Sequence, residues 1–342
     1  MGICRGTRAR NLSRAWNLVD YKLNRRIFMS DPALVPELTS YAANCHCGAV
    51  KFTVKIPSLT NHQVIHCNCS LCTRNGYLMI YPERKDVVFH SGYDNLSSYS
   101  VLHKNIHKFC SICGSSVVAE AIDGVKGDEK DFIAINVSCP DHFYFQCVAY
   151  DCGQVRMIKD IDVGKLKLMS YDGRAAKPEY DIGTPADSST ATESELLPYP
   201  ANCHCGAVRY TVFIPSLEEH LVNMCNCSIC THNGYLLVYP QRPEVIFHSG
   251  YDHLRSYFFG SKTRTHKFCP TCGSSILIDP NRINEPGRDI LAINVSANGV
   301  TGRVSEPDRG WQTRMFHDAD PSKFKYKYFD GWTKIKPEYN VS

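Results

Sequence analysis

Cys45-His46-Cys47-Gly48, Cys67-Asn68-Cys69-Ser70-Leu71-Cys72 and Cys110-Ser111-Ile112-Cys113-Gly114 decide how this chain is read, because the three motifs return together about 158 residues later. The second set is Cys203-His204-Cys205-Gly206, Cys225-Asn226-Cys227-Ser228-Ile229-Cys230 and Cys269-Pro270-Thr271-Cys272-Gly273. The two sets use fourteen of the 18 cysteines. Each repeat therefore offers four thiols in two pairs and three thiols in one cluster. Four thiolates close a tetrahedral zinc shell, whereas three leave one position open.

Zinc explains this spacing better than disulfides do. An odd set of seven thiols cannot pair off within its own repeat, and residues 1–30 contain no apolar h-region of a secretory signal. C-x-C and C-x2-C, with Gly after the last Cys of the paired motifs, are metal-knuckle spacings. Iron–sulfur clusters also take four thiols, but a C-x-C-x2-C segment beside a separate Cys4 set does not follow ferredoxin spacing. Cys67, Cys69 and Cys72 lie within six residues and can converge on one ion. Cys45 and Cys47 joined to Cys110 and Cys113 give a closed site that supplies folding energy, on the order of 10 kcal/mol in small zinc modules. The same division in repeat two sets Cys203, Cys205, Cys269 and Cys272 against Cys225, Cys227 and Cys230. The count is about four zinc ions per chain by this ligand logic. The fourth position of each three-thiol site falls to water, substrate or a non-Cys side chain. His66 does not supply it in both repeats, because Met224 stands at the matching place; it reads as a turn or surface histidine. His46 and His204 lie between two ligands on extended backbone, so they point away from the metal.

The length of 342 residues suits two domains, and the repeat marks them. Residues 1–40 form a basic N-terminal extension, 41–181 the first domain, 182–198 a Ser-, Thr-, Ala-, Glu- and Pro-rich flexible linker, and 199–342 the second domain. Val50–Ile56 alternates with period two. Tyr77–Tyr81, Val87–His90, Ser116–Ala121 and Phe132–Val137 are short apolar or β-branched runs bounded by turn residues. No long 3.6-residue stripe is present. The fold class expected is mainly β: two small antiparallel, zinc-held sheet domains in tandem.

Residues 1–28 hold seven basic residues and one acid, Asp20. This fits either a mitochondrial presequence or an upstream extension before a start at Met29, so the compartment expected is the cytoplasm, with the mitochondrion as alternative. The whole chain is +4, but the remainder holds 31 basic and 33 acidic residues, a net −2 once 1–28 is set aside. No general basic charge is left to drive phosphate binding, and no nucleic-acid partner is expected. No stretch is long and apolar enough to span a membrane.

Each repeat resembles the glutathione-dependent formaldehyde-activating enzyme family, which includes the centromere protein V type. The resemblance rests on the linked C-x-C-G, C-x-C-x2-C and F-C-x2-C-G motifs and spans roughly Asn44–Tyr180 and Asn202–Tyr339. It implies a zinc-stapled β-tent fold. It implies a structural zinc on each Cys4 set and a substrate-side zinc on each three-thiol set. The activity it implies is condensation of glutathione with formaldehyde to S-(hydroxymethyl)glutathione and its reverse, a carbon–sulfur lyase reaction. The chain departs from the family pattern in being a tandem. Thr73 and Thr231 stand where many members carry Arg, and Cys139, Cys147 and Cys152 follow Asn136 in repeat one.

An open three-thiolate zinc favours a further sulfur ligand and raises the anion fraction of an incoming thiol. The partners expected are glutathione or another small thiol and a small aldehyde. Cys67, Cys69, Cys72, Cys225, Cys227 and Cys230 are thus the candidate catalytic set. Glutathione carries two carboxylates, for which Lys108 and Lys267 are the candidate binders, with Arg84 and Arg242 also recurring. Tyr77 and Tyr235 read as packing residues after Asn75-Gly76 and Asn233-Gly234 turns. The competing reading is a zinc-stapled scaffold for a protein or chromatin partner, without catalysis; a fourth protein ligand at the three-thiol sites would favour it.

Overall fold

In the computed structural model, which describes residues 37–101, 105–121, 132–137, 166–173, 196–280, 289–295 and 324–335, the alternating stretch Lys51–Ile56 is a strand. Phe52, Val54 and Ile56 are buried on one side, while Lys51 and Lys55 face solvent. The strands of repeat one are β1 (Thr39–Asn44), β2 (Lys51–Ile56), β3 (Gln63–Cys67), β4 (Leu78–Ile80), β5 (Val87–Ser91), β6 (Leu96–Val101), β7 (Asn105–Cys110), β8 (Ser116–Ala121), β9 (Ala134–Asn136) and β10 (Lys167–Tyr171). They form a three-stranded sheet, β1-β2-β5, and a seven-stranded sheet, β10-β3-β4-β9-β8-β7-β6.

Repeat two copies this order. Its strands are β11 (Leu197–Asn202), β12 (Arg209–Ile214), β13 (Leu221–Cys225), β14 (Leu236–Val238), β15 (Val245–Ser249), β16 (Arg255–Tyr257), β17 (Thr265–Phe268), β18 (Ser275–Asp279), β19 (Ala292–Asn294) and β20 (Lys325–Phe329). The sheets are β11-β12-β15 and β20-β13-β14-β19-β18-β17-β16. The chain is mainly β, with two similar sheet-rich halves. The helices flanking the three-thiol motifs, Ser70–Arg74 and Ser228–His232, are five residues each.

The antiparallel expectation needs one correction. β10 runs parallel to β3, and β20 parallel to β13. A parallel pair needs a long crossover rather than a hairpin. Local alternation carries no sign of strand direction. The register pairs Tyr171 with Cys67 and Phe329 with Cys225, which brings the end of each repeat to its three-thiol motif.

The core of repeat one, including Phe52, Val54, Ile56 and Phe109, continues into repeat two through Tyr235, Leu237, Tyr257 and Phe268. The contacts are reciprocal, as across an approximate two-fold axis. The Asn-Gly turns meet there. Gly76 and Gly234 both have φ +62°, and a Cβ on either would lie 2.9 Å from the other's Cα. Only glycine fits both the backbone conformation and the approach. Phe268 packs on Gly114 and Phe109 on Gly273. Arg74 Nε donates to the Asn202 carbonyl at 3.2 Å.

Among the described residues no helix is long and apolar enough to cross a membrane. The N-terminal extension up to residue 36, residues 182–195 of the linker, and Cys139, Cys147 and Cys152 lie outside the described residues. So do Lys177–Tyr180 and Lys336–Tyr339.

Candidate metal centres

The paired thiols converge by local turns. After β1, Gly48 N donates to Cys45 O at 2.9 Å, and Val50 N points at Cys45 Sγ at 3.3 Å. At the end of β7, Gly114 N donates to Cys110 O at 2.9 Å. Cys45, Cys47, Cys110 and Cys113 then place their sulfurs within 4.8 Å of one another, as do Cys203, Cys205, Cys269 and Cys272. Neighbouring sulfurs are 3.5 Å apart at Cys45–Cys47 and 3.6 Å at Cys47–Cys110; repeat two gives 3.5 Å and 3.7 Å. A tetrahedron with zinc–sulfur bonds of about 2.3 Å has edges of about 3.8 Å, whereas a disulfide is about 2.05 Å. None of the fourteen motif cysteines is in a disulfide. Burial pushes Cys113 well above its usual range, while hydrogen bonds from Cys113, Cys45 and Cys47 hold Cys110 down. Four thiolates so close together need a cation, and the donor set fits a metal ion.

The second kind of site is different. Cys67 ends β3, Cys69 precedes the helix Ser70–Arg74, and Cys72 lies within it. Thr73 braces the turn, donating from its amide at 3.0 Å and its hydroxyl at 2.7 Å to Cys69 O. Cys67, Cys69 and Cys72 form a group that closes at three among the described residues, and so do Cys225, Cys227 and Cys230. No described Cys, His, Asp or Glu joins as a fourth ligand. The Cys69 sulfur, and then burial, push Cys67 up to about 12; Cys227 does the same to Cys225.

A glycine lies against each of these groups. Gly173 stands so close that a Cβ would overlap Cys67 Sγ and come within 3.0 Å of Cys69 Cβ. Gly331 stands likewise over Cys225 Sγ, with Cys227 Cβ at 2.9 Å. The turn is tied to the motif. Asn68 N donates to Tyr171 O at 3.2 Å and Asn68 Nδ2 to Asp172 Oδ1 at 3.0 Å. Asn226 repeats both bonds with Phe329 O and Asp330 Oδ1, at 3.3 Å and 3.1 Å. Sequence reasoning missed these glycines, although Tyr171-Asp172-Gly173 and Phe329-Asp330-Gly331 recur at the repeat spacing.

The candidate carboxylate binders lie elsewhere on the sheet. Lys108 Nζ pairs with Glu120 at 2.9 Å and donates to Tyr93 Oη at 2.7 Å, and Arg84 pairs with the same Glu120 at 2.9 Å. Lys267 Nζ donates to Ser256 Oγ at 3.2 Å, over the Tyr251 ring. Arg242 grips Asp279 through two bonds of 3.0 Å and Asp289 through one of 2.6 Å. The preceding histidines take the other face of the strand: the His107 ring lies 5.7 Å from that of Tyr77, and His266 lies 6.0 Å from Tyr235. Both tyrosines are buried packing residues. Burial pushes His266 down to about 4 and His204 to about 3, with Arg74 adding to the second shift. His66 is not a surface residue: it is buried on β3. His46 and His204 are buried and stand outside the metal groups.

A family profile described as glutathione-dependent formaldehyde-activating enzyme matches residues 40–149 and 198–307, more than half of the chain and one match per repeat. Among solved structures, a crystal structure of a Rhodobacter sphaeroides protein is 28% identical; the match covers 30% of this chain and 92% of that one, with a TM-score of 0.25.

Proposed function

The chain belongs to the glutathione-dependent formaldehyde-activating enzyme family, and from that premise we propose that it is a zinc-dependent carbon–sulfur lyase. It joins glutathione, or a related small thiol, to formaldehyde or another small aldehyde, and reverses that step. The complement is about four zinc ions per chain, two in Cys4 sites and two in three-thiol sites. The observation that carries the reading is the closure of Cys67, Cys69 and Cys72, and of Cys225, Cys227 and Cys230, at three thiols. A purely structural site would gain from a fourth protein ligand.

A zinc ion bound there supplies a position that prefers sulfur and lowers the pKa of an incoming thiol. The chain's own residues do the rest. The short helix fixes the spacing of Cys69 and Cys72, and Thr73 holds its first turn. Gly173 and Gly331 leave the sulfur face clear of any Cβ. The reaction forms one carbon–sulfur bond, opens the carbonyl to an alcohol and moves the thiol proton to oxygen, so it needs no oxidant or reductant. Lys267, partnered by a hydroxyl, is the candidate to meet a glutathione carboxylate. Lys108 would first have to exchange Glu120.

Cobalt substitution tests this directly. Glutathione should strengthen the sulfur-to-cobalt charge-transfer band, saturably, and the response should vanish in the Cys69→Ser/Cys227→Ser protein. NMR exchange should show faster interconversion of formaldehyde and S-(hydroxymethyl)glutathione than in buffer. No spectral response removes the thiol substrate. A response without rate enhancement leaves a thiol-binding protein and favours the scaffold.

A further inference from the structure

The histidine inside each Cys4 knuckle is engaged by the other repeat. His46 lies between Cys45 and Cys47 and is 1% exposed. Its Nε2 meets Ser228 Oγ at 2.9 Å and its Nδ1 meets Tyr257 Oη at 2.8 Å, both in repeat two. His204 mirrors it. Its Nε2 meets Ser70 Oγ at 3.1 Å and its Nδ1 meets Tyr99 Oη at 2.9 Å, both in repeat one. Ser70 directly follows Cys69 and opens the helix that carries Cys72; Ser228 follows Cys227 and opens the helix that carries Cys230.

A five-residue helix cannot hold itself in place, because helix nucleation is unfavourable at that length. Neither helix has a side-chain cap at its start. Its docking must come from outside. In repeat one two such ties reach across, the His204 bond and the Arg74 bond to Asn202 O. In repeat two the His46 bond is joined by an edge-on contact of the His46 and His232 rings, with centroids 5.4 Å apart. Two of the three thiols of each open group are therefore tied across the contact as well as held locally by the Thr73 and Thr231 bonds to Cys69 O and Cys227 O.

We propose that each three-thiol site is positioned in trans: His204 with Tyr99 fixes the site of repeat one, and His46 with Tyr257 fixes the site of repeat two. The Cys4 knuckle of one half and the open site of the other form one working unit, and the chain contains two such crossed units. The histidines are positioning residues and touch neither thiol nor aldehyde. The inference rests on the reading of the three-thiol groups as metal sites, and its test reads the metal itself.

The experiment uses zinc-loaded full-length protein with one open site removed at a time. Cys227→Ser leaves the open site of repeat one, and Cys69→Ser leaves that of repeat two. The readout is the rate at which the remaining open site yields zinc to a chromogenic chelator. In the Cys227→Ser protein, His204→Leu should raise that rate at least tenfold and Ser70→Ala several-fold, while His46→Leu changes it less than twofold. His204→Gln, which keeps a hydrogen-bonding end, should recover most of the difference. In the Cys69→Ser protein the roles of His46 and His204 should exchange, with Ser228→Ala the serine that matters. Ser70→Ala and Ser228→Ala leave the knuckles untouched, so they decide the matter if a histidine variant fails to fold. Equal sensitivity to both histidines in both backgrounds, or none to either serine, overturns positioning in trans. Equal zinc content in the Cys227→Ser and Cys69→Ser/Cys227→Ser proteins overturns the metal reading and the inference with it.

Discussion

Replacing Gly173 by alanine adds one methyl group, and the structure places it against two of the three thiol-bearing residues. The new Cβ would come within 3.0 Å of Cys69 Cβ and overlap Cys67 Sγ. Carbon atoms settle at about 3.5–4.0 Å, so the Cys69 contact alone demands a shift of roughly 0.5 Å, and the sulfur more. A ligand tolerates about 0.2 Å before the coordination distance is wrong. Neither Gly173 nor Gly331 has a left-handed φ, so the penalty is contact and not backbone strain. The Asn68 bonds to Tyr171 O and Asp172 keep the turn from backing away. Overpacking of this kind costs about 1–3 kcal/mol, a fall of several degrees in melting temperature. The larger consequence is at the metal. Gly173→Ala should lose about one zinc equivalent per chain, Gly331→Ala the other, and the double variant both, with far-UV circular dichroism unchanged. Elemental analysis with thermal melts measures both effects. Full zinc content and an unshifted melt in both variants would refute the claim that these glycines keep the sulfur face clear.

The two kinds of site should separate by mutation: Cys113→Ser or Cys272→Ser should unfold its own repeat, because a closed site carries folding energy, whereas Cys69→Ser or Cys227→Ser should keep the fold and lose thiol binding in that repeat, as followed by melts and glutathione titration. Acid should destabilise the protein through His266. Its folded pKa is about 4 against 6.5 for the free side chain, so the unfolded chain binds the extra proton and stability falls as pH drops from about 6.5 towards 4. By pH 5 the loss is about 2 kcal/mol, and His266→Asn should flatten that part of a urea-denaturation profile against pH. At the ion pair, hydrogen bonds from Tyr93, Lys108 and Arg84 hold Glu120 below its usual range against the opposing effect of burial. A depressed carboxylate stabilises above its unfolded pKa and loses that contribution as pH falls through the folded one. Glu120→Gln should therefore cost about 1–2 kcal/mol at pH 7, and that cost should shrink as pH falls below the usual carboxylate range and through the depressed folded value, read by the same denaturation series.

Much of the thiol grouping was legible because the spacing of candidate ligands is a local property. Two sulfurs separated by one or two residues are brought together by a single turn, and the Gly48 and Gly114 amide bonds are those turns. Alternation likewise announced β2, since one pleat face is buried and the other is not. What escaped depended on register between distant segments. Gly173 reaches Cys67 only because β10 pairs parallel to β3, with Tyr171 opposite Cys67. Lys108 is a candidate carboxylate binder by sequence because its partner, Glu120, is supplied by the neighbouring strand β8 and not by anything local. His46 stands outside the Cys4 group, as alternation on extended backbone predicts, but nothing local says that it turns towards Ser228, 182 residues on.

Joining the halves in one chain also allows the two sides of their contact to differ, which a symmetric homodimer could not. Arg74 at the end of one short helix is matched by His232 on the other, and the residues facing them differ too. Tyr210 stands in repeat two where repeat one has Phe52. Arg74 is 2% exposed, and its charge acts on the buried Tyr210 hydroxyl. An arginine there suits a polar neighbour, whereas the other short helix ends on a histidine that packs edge-on against His46. The thiols, the Asn-Gly turns, Ser70 and Ser228, Tyr99 and Tyr257, and Gly173 and Gly331 are the same in both halves. The two crossed units thus share the residues that set sulfur geometry and differ in the packing that joins them. Because Arg74 also donates to Asn202 O across the contact, exchanging Arg74 and His232 should lower stability and weaken glutathione binding at the site of repeat one more than at that of repeat two, read by titration of the Cys227→Ser and Cys69→Ser proteins. Unchanged binding at both sites would show that the crossed histidine bonds alone set the site geometry and that the helix-end residues serve only the packing.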